Sequence, residues 1–403
     1  MIKRKEKRFC PDCGLPAIFH FWTWIEGLIE RLIPNKFSNF VPKKIELWME
    51  DLVEKLFISL HIITLKDDFS LKDIDFRSAC FIEEARKQGI KVKAMKGPFG
   101  YMNHFQMQLG KKKFSFEGLP IADFLSKKNI ELIDDKNWVK KKLKKEGFPF
   151  VPGRAFWFWE KEKAKKWAIK KIGFPLVVKP QAGSFSRHIT TNIKSEEELN
   201  KAINKAIKYS PTFIVEEFMA NTDVYRATVI DFKLKGCAER IAANVKGDGF
   251  HSISELIEIK NKHPYRGTAR GNESPLCKII VSKTTEKLLK EKNYSLDSIP
   301  SKGEIVYLEE NPFVRLGADV IEVLDKTHPD NIKLFQDIAK FFEARVVGID
   351  FLAEDIALSW KKQKCAVLEL NSLPCIEIHQ FPSSGKPQNI AAALVQMVFK
   401  YYL

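Results

Sequence analysis

Cysteine is scarce in this 403-residue chain: seven residues, odd in number, with only Cys10 and Cys13 close together. That excludes a disulfide framework and points to a reducing compartment. Long apolar runs are also missing. The stretch 15–25 is broken by His20, closed by Glu26, and falls short of the roughly 18 residues a spanning helix needs. It has no small-residue cleavage site after the basic start MIKRKEKRFC. The expectation is a cytoplasmic protein with no transmembrane segment. There is no G-x-x-x-x-G-K-[ST] segment, which excludes a P-loop nucleotide site. No Ser-His-Asp or Cys-His signature supplies a protein nucleophile, and neither an internal repeat nor a low-complexity linker occurs. Acidic residues are outnumbered, 51 against 67 basic ones, for a net charge of +16. Such a balance suits nucleic acid, an anionic membrane, or a phosphate-bearing or acidic substrate.

What is present describes a globular protein. Hydrophobic residues make up 45% and charged residues 29%, and about 150 residues per domain gives two to three domains. Residues 1–40 form an N-terminal extension carrying CPDCG at 10–14, followed by Ile25, Leu28, Ile29, Leu32 and Ile33 at helical spacing. This helix packs on its own domain; an anionic membrane surface is the alternative its Trp and Phe residues raise. Residues 41–125 read as a small α/β domain, with a strand over 57–64, a helix over 77–89, a strand over 90–95, a loop or hairpin over 97–110 and a strand over 114–116. The stretch 136–171 carries a net +10, nearly all of it on two helices, about 136–146 and 160–172. Arg, the commoner base reader, is nearly absent from them, so they read as solvated faces and not as a nucleic-acid surface. Beyond Gly173, strands are expected over 175–180, 212–218, 225–232, 346–352 and 365–371, with helices over 195–209 and 389–398.

Three stretches carry chemistry. Glu369 and Asn371 in AVLELN point to one face of a strand, and Asp350 in VVGIDF ends up beside them if the two strands pair. Two carboxylates and an amide oxygen are hard ligands of the kind that hold Mg²⁺ on nucleotide phosphates. Lys179 ends the apolar strand PLVVKP, where an ammonium group has to be paired or face a cavity. The loop after it offers Gly183, Ser184 and Ser186, whose backbone N–H groups suit phosphates. In IVEEFMANTD, a strand ends in Glu216 and Glu217, followed by Met219 and Asp223, as a hinge whose backbone pairs with an adenine edge and whose Asp223 accepts from ribose.

In this order the motifs resemble the ATP-grasp superfamily, and within it the branch of cyanophycin synthetase and the bifunctional glutathione synthetases. The resemblance runs over residues 126–400 and rests on DDKNWVKKKLKKEGFPFVPG (134–153), AERIAANVKGDGFHSISELIEIKN (238–261), HPYRG (263–267), LDSIPSKGE (296–304), HPDN (328–331), GID (348–350), LELNSLP (368–374) and SSGKPQNI (383–390). It implies an α/β (α+β) architecture: an ATP-grasp domain over 126–403, divided into subdomains 126–215 and 216–403, preceded by a small α/β domain. It implies that Lys140 and Lys179 hold ATP phosphates, that Glu216, Glu217 and Met219 line adenine with Asp223 on the ribose, that Arg240 stabilises a phosphorylated intermediate, and that Asp350, Glu369 and Asn371 bind Mg²⁺.

Three departures accompany it. Ser186 and His188 stand where the branch has glycines, so the loop is expected to be stiffer. FVRLGAD (313–319) replaces the branch's N-L-S-T-G-G, leaving Arg315 for a different substrate. The resemblance does not extend to the Mur-ligase half of cyanophycin synthetase, and the expectation is an ATP-grasp module alone. The implied activity is an ADP-forming carboxylate–amine ligase acting on an amino acid or peptide, with acidic substrates and a homo-oligomer among the expectations. The other reading is a catalytically weak relative serving as a nucleotide-binding scaffold. Cys10 and Cys13 are half of a zinc site, a redox pair or two free thiols, with His20 or Cys80 as further Zn²⁺ ligands in the first case.

Overall fold

A computed structural model of the chain describes residues 17–32, 52, 56–121, 133–181, 188–268 and 274–402. Two compact units emerge from it. The first takes in the helix Ala17–Leu32, Lys140–Lys145 and the described part of Pro149–Ala220; the second takes in 56–139, 146–148 and the region from Asn221 onward.

The first unit is built on a four-stranded sheet in the order Gly153–Trp157, Thr212–Glu217, Leu176–Pro180, Thr190–Ile193. Its central strands turn Leu176, Val178, Phe213 and Val215 to one face and Lys179 and Glu216 to the other. Helices Lys161–Lys171 and Glu196–Ala206 cover one face, and Phe156, Leu176, Val178, Leu199, Ile203, Phe213 and Val215 close a core from which water is excluded. Ser195 caps the second helix by accepting from Glu198 N–H at 3.2 Å, and the Glu198 carboxylate returns a bond to Lys194 N–H. The helix Ala17–Leu32 belongs to this unit. Trp24 Nε1 donates to the Ile207 carbonyl at 3.1 Å and its ring meets Phe158, while Ile18, Phe21 and Trp22 face outward.

The second unit holds two larger sheets. One is the meander Thr64–Lys66, Lys91–Gly97, Gly100–Leu109, Lys112–Glu117, with Phe76–Lys87 packed on it. The other has six strands in the order Cys365–Asn371, Val346–Ala353, Asp223–Ile230, Lys233–Ile241, Asp319–Glu322, Ser384–Gly385. Helices Pro329–Phe341 and Ile390–Tyr402 pack on its central strands. A smaller core of Val245, Ile253, Leu256, Ile257, Leu289 and Val306 organises the segment after Ile241.

Two local expectations are corrected, over 57–64 and at 232, and one open alternative, over 97–110, is decided. Residues 57–64 are not a strand: Leu60 N–H bonds to Leu56 O in a helical turn, His61 turns the chain at φ +56, and the strand begins at Thr64. The run FISLHIIT is apolar without alternating, so it carries no strand period. Residues 97–110 resolve into a hairpin whose second strand is Gly100–Leu109. The strand expected to reach 232 stops at Ile230, because Asp231 and Phe232 both adopt positive φ and make the tight reversal into Lys233–Ile241.

Candidate active site

In the first unit, strand Thr212–Glu217 runs antiparallel to Leu176–Pro180, with Val177 opposite Glu216 and Lys179 opposite Ile214. Alternation therefore puts Lys179 and Glu216 on one face, diagonally adjacent. Lys140, from the helix Lys136–Lys145, reaches the same point. The Glu216 carboxylate, 1% exposed, accepts from Lys140 Nζ on Oε1 and lies 2.9 Å from Lys179 Nζ on Oε2; Lys140 also donates to the Val151 carbonyl. Burial pushes the Glu216 carboxyl up, but the two ammonium groups outweigh it and bring it down to about 2. Gly153 makes the space: a Cβ there would stand 2.7 Å from Glu216 Cγ. The sequence reading assigned Glu216 to adenine, whereas its side chain holds the two lysines together. Glu217 is half-buried and Met219 buried just beyond it.

Gly183, Ser184 and Ser186 lie outside the described residues, as do Cys10 and Cys13. His188, at the far end of that loop, adopts φ +61 and stacks on Tyr209 with ring centroids 3.3 Å apart. The left-handed backbone explains why glycine is the easier residue there.

In the second unit, one row of side chains crosses four strands of the six-stranded sheet. Ala238 pairs with Arg226, Arg226 with Asp350, and Asp350 with Glu369. Arg226 grips Asp350 through two bonds, Nε to Oδ1 and Nη2 to Oδ2, the latter at 3.1 Å. Arg240 adds a contact at 3.2 Å, and Lys136 lies 3.5 Å from Glu369. Burial would raise the Asp350 carboxyl, yet Arg226 and then Arg240 hold it at about 2. Gly348 leaves room for this arrangement, since a Cβ there would meet Arg226 Nη1 at 2.9 Å and Pro374 Cβ at 3.0 Å. Asn371 sits two residues beyond Glu369; its Nδ2 and the Nε of Arg240 are buried without a hydrogen-bond partner. The loop that follows is pinned by Asp134, which accepts from Ser372 N–H at 3.1 Å and Ser372 Oγ at 2.6 Å. Asp223 begins the central strand and is exposed.

Sequence reasoning missed Arg226 and Asp134. Arg226 was findable: an arginine inside the apolar strand VYRATV poses the same pairing problem as Lys179. Asp134 gave no signal of its own, because its partner Ser372 lies 238 positions away. Asp350, Glu369 and Asn371 carry oxygen atoms of the kind that suit a hard divalent cation. Two guanidinium groups already share Asp350, so a cation there draws mainly on Glu369 and Asn371. Among the described residues, no group of three or more His, Cys, Asp or Glu side chains is placed to hold a metal, and no helix is long and apolar enough to cross a membrane.

Residues 143–263 match the family described as D-ala D-ala ligase C-terminus. A cyanophycin synthetase of Trichormus variabilis is 32% identical over 341 residues, covering 83% of this chain and 36% of the relative. The glutathione biosynthesis bifunctional protein GshAB of Clostridium perfringens is 30% identical over 429 residues, covering 98% of this chain and 54% of the relative. The crystal structure of a bifunctional glutathione synthetase from Pasteurella multocida superposes with a TM-score of 0.64 at 25% identity, over 82% of this chain and 45% of that one. The chain thus spans about a third to a half of the length of these relatives.

Proposed function

The chain carries an ATP-grasp module of the kind found in cyanophycin synthetases and bifunctional glutathione synthetases, and from that premise we propose that it is an ADP-forming carboxylate–amine ligase acting on an amino acid or peptide. The observation that carries the reading is the Arg226–Asp350–Glu369 row with Arg240 beside it. Two carboxylates are held side by side among cations on a buried sheet face, and hydrogen-bonding capacity on Arg240 and Asn371 is left over for a ligand.

The reaction follows from charge. A carboxylate is a poor acyl donor at neutral pH. Attack by its oxygen on the γ-phosphorus of ATP forms an acyl phosphate and expels ADP; an amine then attacks the acyl carbon, phosphate leaves and an amide remains. Lys140 and Lys179, positioned by Glu216, bind ATP phosphates, and Gly183 and Ser184 are assigned to the same phosphates. Glu217 and Met219 border the adenine, and Asp223 accepts from the ribose. Mg²⁺, when held by Asp350, Glu369 and Asn371, offsets charge on the phosphates. Arg240, oriented by Asp350, stabilises the negative charge on the acyl phosphate and the tetrahedral species. Arg226 keeps Asp350 ionised and fixed. We place the activity in the cytoplasm, in keeping with the free thiols of the five described cysteines.

The test is nucleotide-dependent product release with a panel of amino acids and peptides. ADP and phosphate are expected, with hydroxylamine trapping the activated carboxylate as a hydroxamate. Pyrophosphate in place of phosphate would overturn the acyl-phosphate route, and tight ATP binding without turnover on any carboxylate would favour a scaffold.

A further inference from the structure

The helix Ala17–Leu32 is apolar on two opposite sides, and contacts to the first unit account for only one of them. His20, Trp24 and Gly27, spaced by four and three, share the packed side. The His20 ring meets His188 and Tyr209 edge on, Trp24 Nε1 donates to the Ile207 carbonyl, and Gly27 is buried. At roughly 100° per residue, Ile18, Trp22 and Ile29 fall on the other side. They are 62%, 62% and 49% exposed, and Phe21 beside them is exposed as well. A single exposed apolar side chain is ordinary, whereas a row of them along one helix marks an interaction surface.

The surroundings of this row are aromatic and basic. The Trp24 ring touches Phe158, Phe158 meets Trp159 with centroids 4.8 Å apart, and Trp159, itself 59% exposed, stacks on Trp157. The helix Lys161–Lys171 starts directly after Glu160 and holds six lysines against Glu162. Lys163 pairs with Glu160 and Lys165 with Glu162, but Lys166, Lys170 and Lys171 are exposed and meet no carboxylate among the described residues. Ile169 and Phe174 are exposed in the same stretch. In the sequence, the helix Ala17–Leu32 is preceded by Lys3, Arg4, Lys5, Lys7 and Arg8, against Glu6 alone.

We propose that the outward side of the helix Ala17–Leu32 docks on the surface of an anionic lipid bilayer, with Ile18, Phe21, Trp22 and Ile29 entering the headgroup boundary and the neighbouring lysines drawn to lipid phosphates. Exposed tryptophan beside lysine matches the chemistry of that boundary, apolar below and anionic above. Ile18 and Ile29 gain only by leaving water for an apolar phase, which a nucleic acid held by its phosphates does not provide. A second copy of the chain, docked through the same patch, would set two lysine-rich helices near each other. Sixteen residues rise about 24 Å, short of the roughly 30 Å of a hydrocarbon core, so the helix lies along the surface. Nothing in this proposal depends on the ligase reading.

Co-sedimentation of the full chain with vesicles of phosphatidylcholine and phosphatidylserine, against phosphatidylcholine alone, tests it. The wild type should partition onto the anionic vesicles at least about tenfold more strongly, and high salt should remove the preference. The double substitution Ile18→Ser with Trp22→Ser should weaken partition at least about tenfold. Its thermal midpoint should stay near wild type, because both side chains are exposed. Trp22→Phe should keep most of the binding. Lys166→Glu with Lys170→Glu should erase the preference for anionic vesicles. Ile259→Ser, at an exposed position of the second unit, should change nothing and controls for lost surface apolarity as such. Light scattering and a single-stranded oligonucleotide supply the competing occupants. Equal partition onto both kinds of vesicle, or wild-type partition by the double variant, overturns the proposal. So does a dimer that the double variant dissociates while vesicles go unbound, and so does oligonucleotide binding without vesicle binding.

Discussion

Glu216 is a single carboxylate serving two buried lysines, and its removal should be felt in stability before activity is considered. Glu216→Gln keeps the shape and deletes the charge, leaving two ammonium groups without their counter-ion. Loss of one member of a buried ion pair costs about 3–5 kcal/mol, which urea denaturation at neutral pH would register. The pH dependence has a definite sign. The folded carboxyl is held at about 2, below its ordinary 4.5, so its stabilisation is complete above that ordinary value and fades as pH falls toward 2. The stability difference between wild type and Glu216→Gln should therefore shrink on acidification over that window; a constant difference would contradict the pairing. Glu369 gives a second residue-scale prediction. Glu369→Ala should abolish ligation in a protein that stays folded, and Asn371→Asp should be milder because an oxygen ligand remains. Near-normal turnover of Glu369→Ala across a Mg²⁺ titration would retire the metal assignment.

At the scale of elements, pairing between strands decides what the side chains can do. The alternation of LELN is readable in the sequence, and so is the place of Asp350 beside Glu369 once the two strands pair. That Arg226 would flank Asp350 on its other side depended on which strand lies at the centre of the sheet. Gly348 is the element's weak point. Gly348→Ala drives a methyl group to 2.9 Å from Arg226 Nη1, so the guanidinium has to shift off Asp350. Overpacking of this kind costs about 1–3 kcal/mol, and ADP release should fall with it, whereas Gly89→Ala meets no atom within 4 Å and bears only the cost of its φ of +78. A Gly348→Ala protein with wild-type midpoint and turnover would show that the grip of Arg226 is dispensable. His188 offers a matched pair on a loop end. His188→Gly and His188→Ala both lose the stack on Tyr209, but only alanine keeps the strain of φ +61. Glycine should be the more stable by about 1–2 kcal/mol, measured by urea midpoints.

For the molecule as a whole, binding and turnover should separate by site. Lys179→Ala should weaken ATP binding and turnover together, since Lys179 is assigned to phosphates in ground state and transition state alike. Arg240→Ala should leave ATP affinity nearly intact and lower turnover on the order of 100-fold, the usual loss for one transition-state charge contact. Titration of nucleotide affinity beside single-turnover rates tests both, and equal losses in the two quantities for Arg240→Ala would remove it from the chemical step.

Local sequence accounts for most of the elements and for the hard-ligand set, but not for Arg226 or Asp134. Helices over about 136–146 and 160–172, within a residue of those observed, the strands that carry Lys179, Glu216, Asp350 and Glu369, and the hard-ligand set E-x-N all follow from local period and residue chemistry. These are properties of neighbours in the chain, so a linear reading reaches them. Tertiary structure alone decided the partnerships. Glu216 binds Lys140 across 76 positions, Asp350 binds Arg226 across 124, and Arg77 reaches the Leu373 carbonyl across 296. No local pattern encodes such a pairing, because an ion pair is selected by burial and register once the sheet has closed. The same holds for Gly153 and Gly348, two glycines with no turn to explain them, whose missing side chains make room for Glu216 and Arg226.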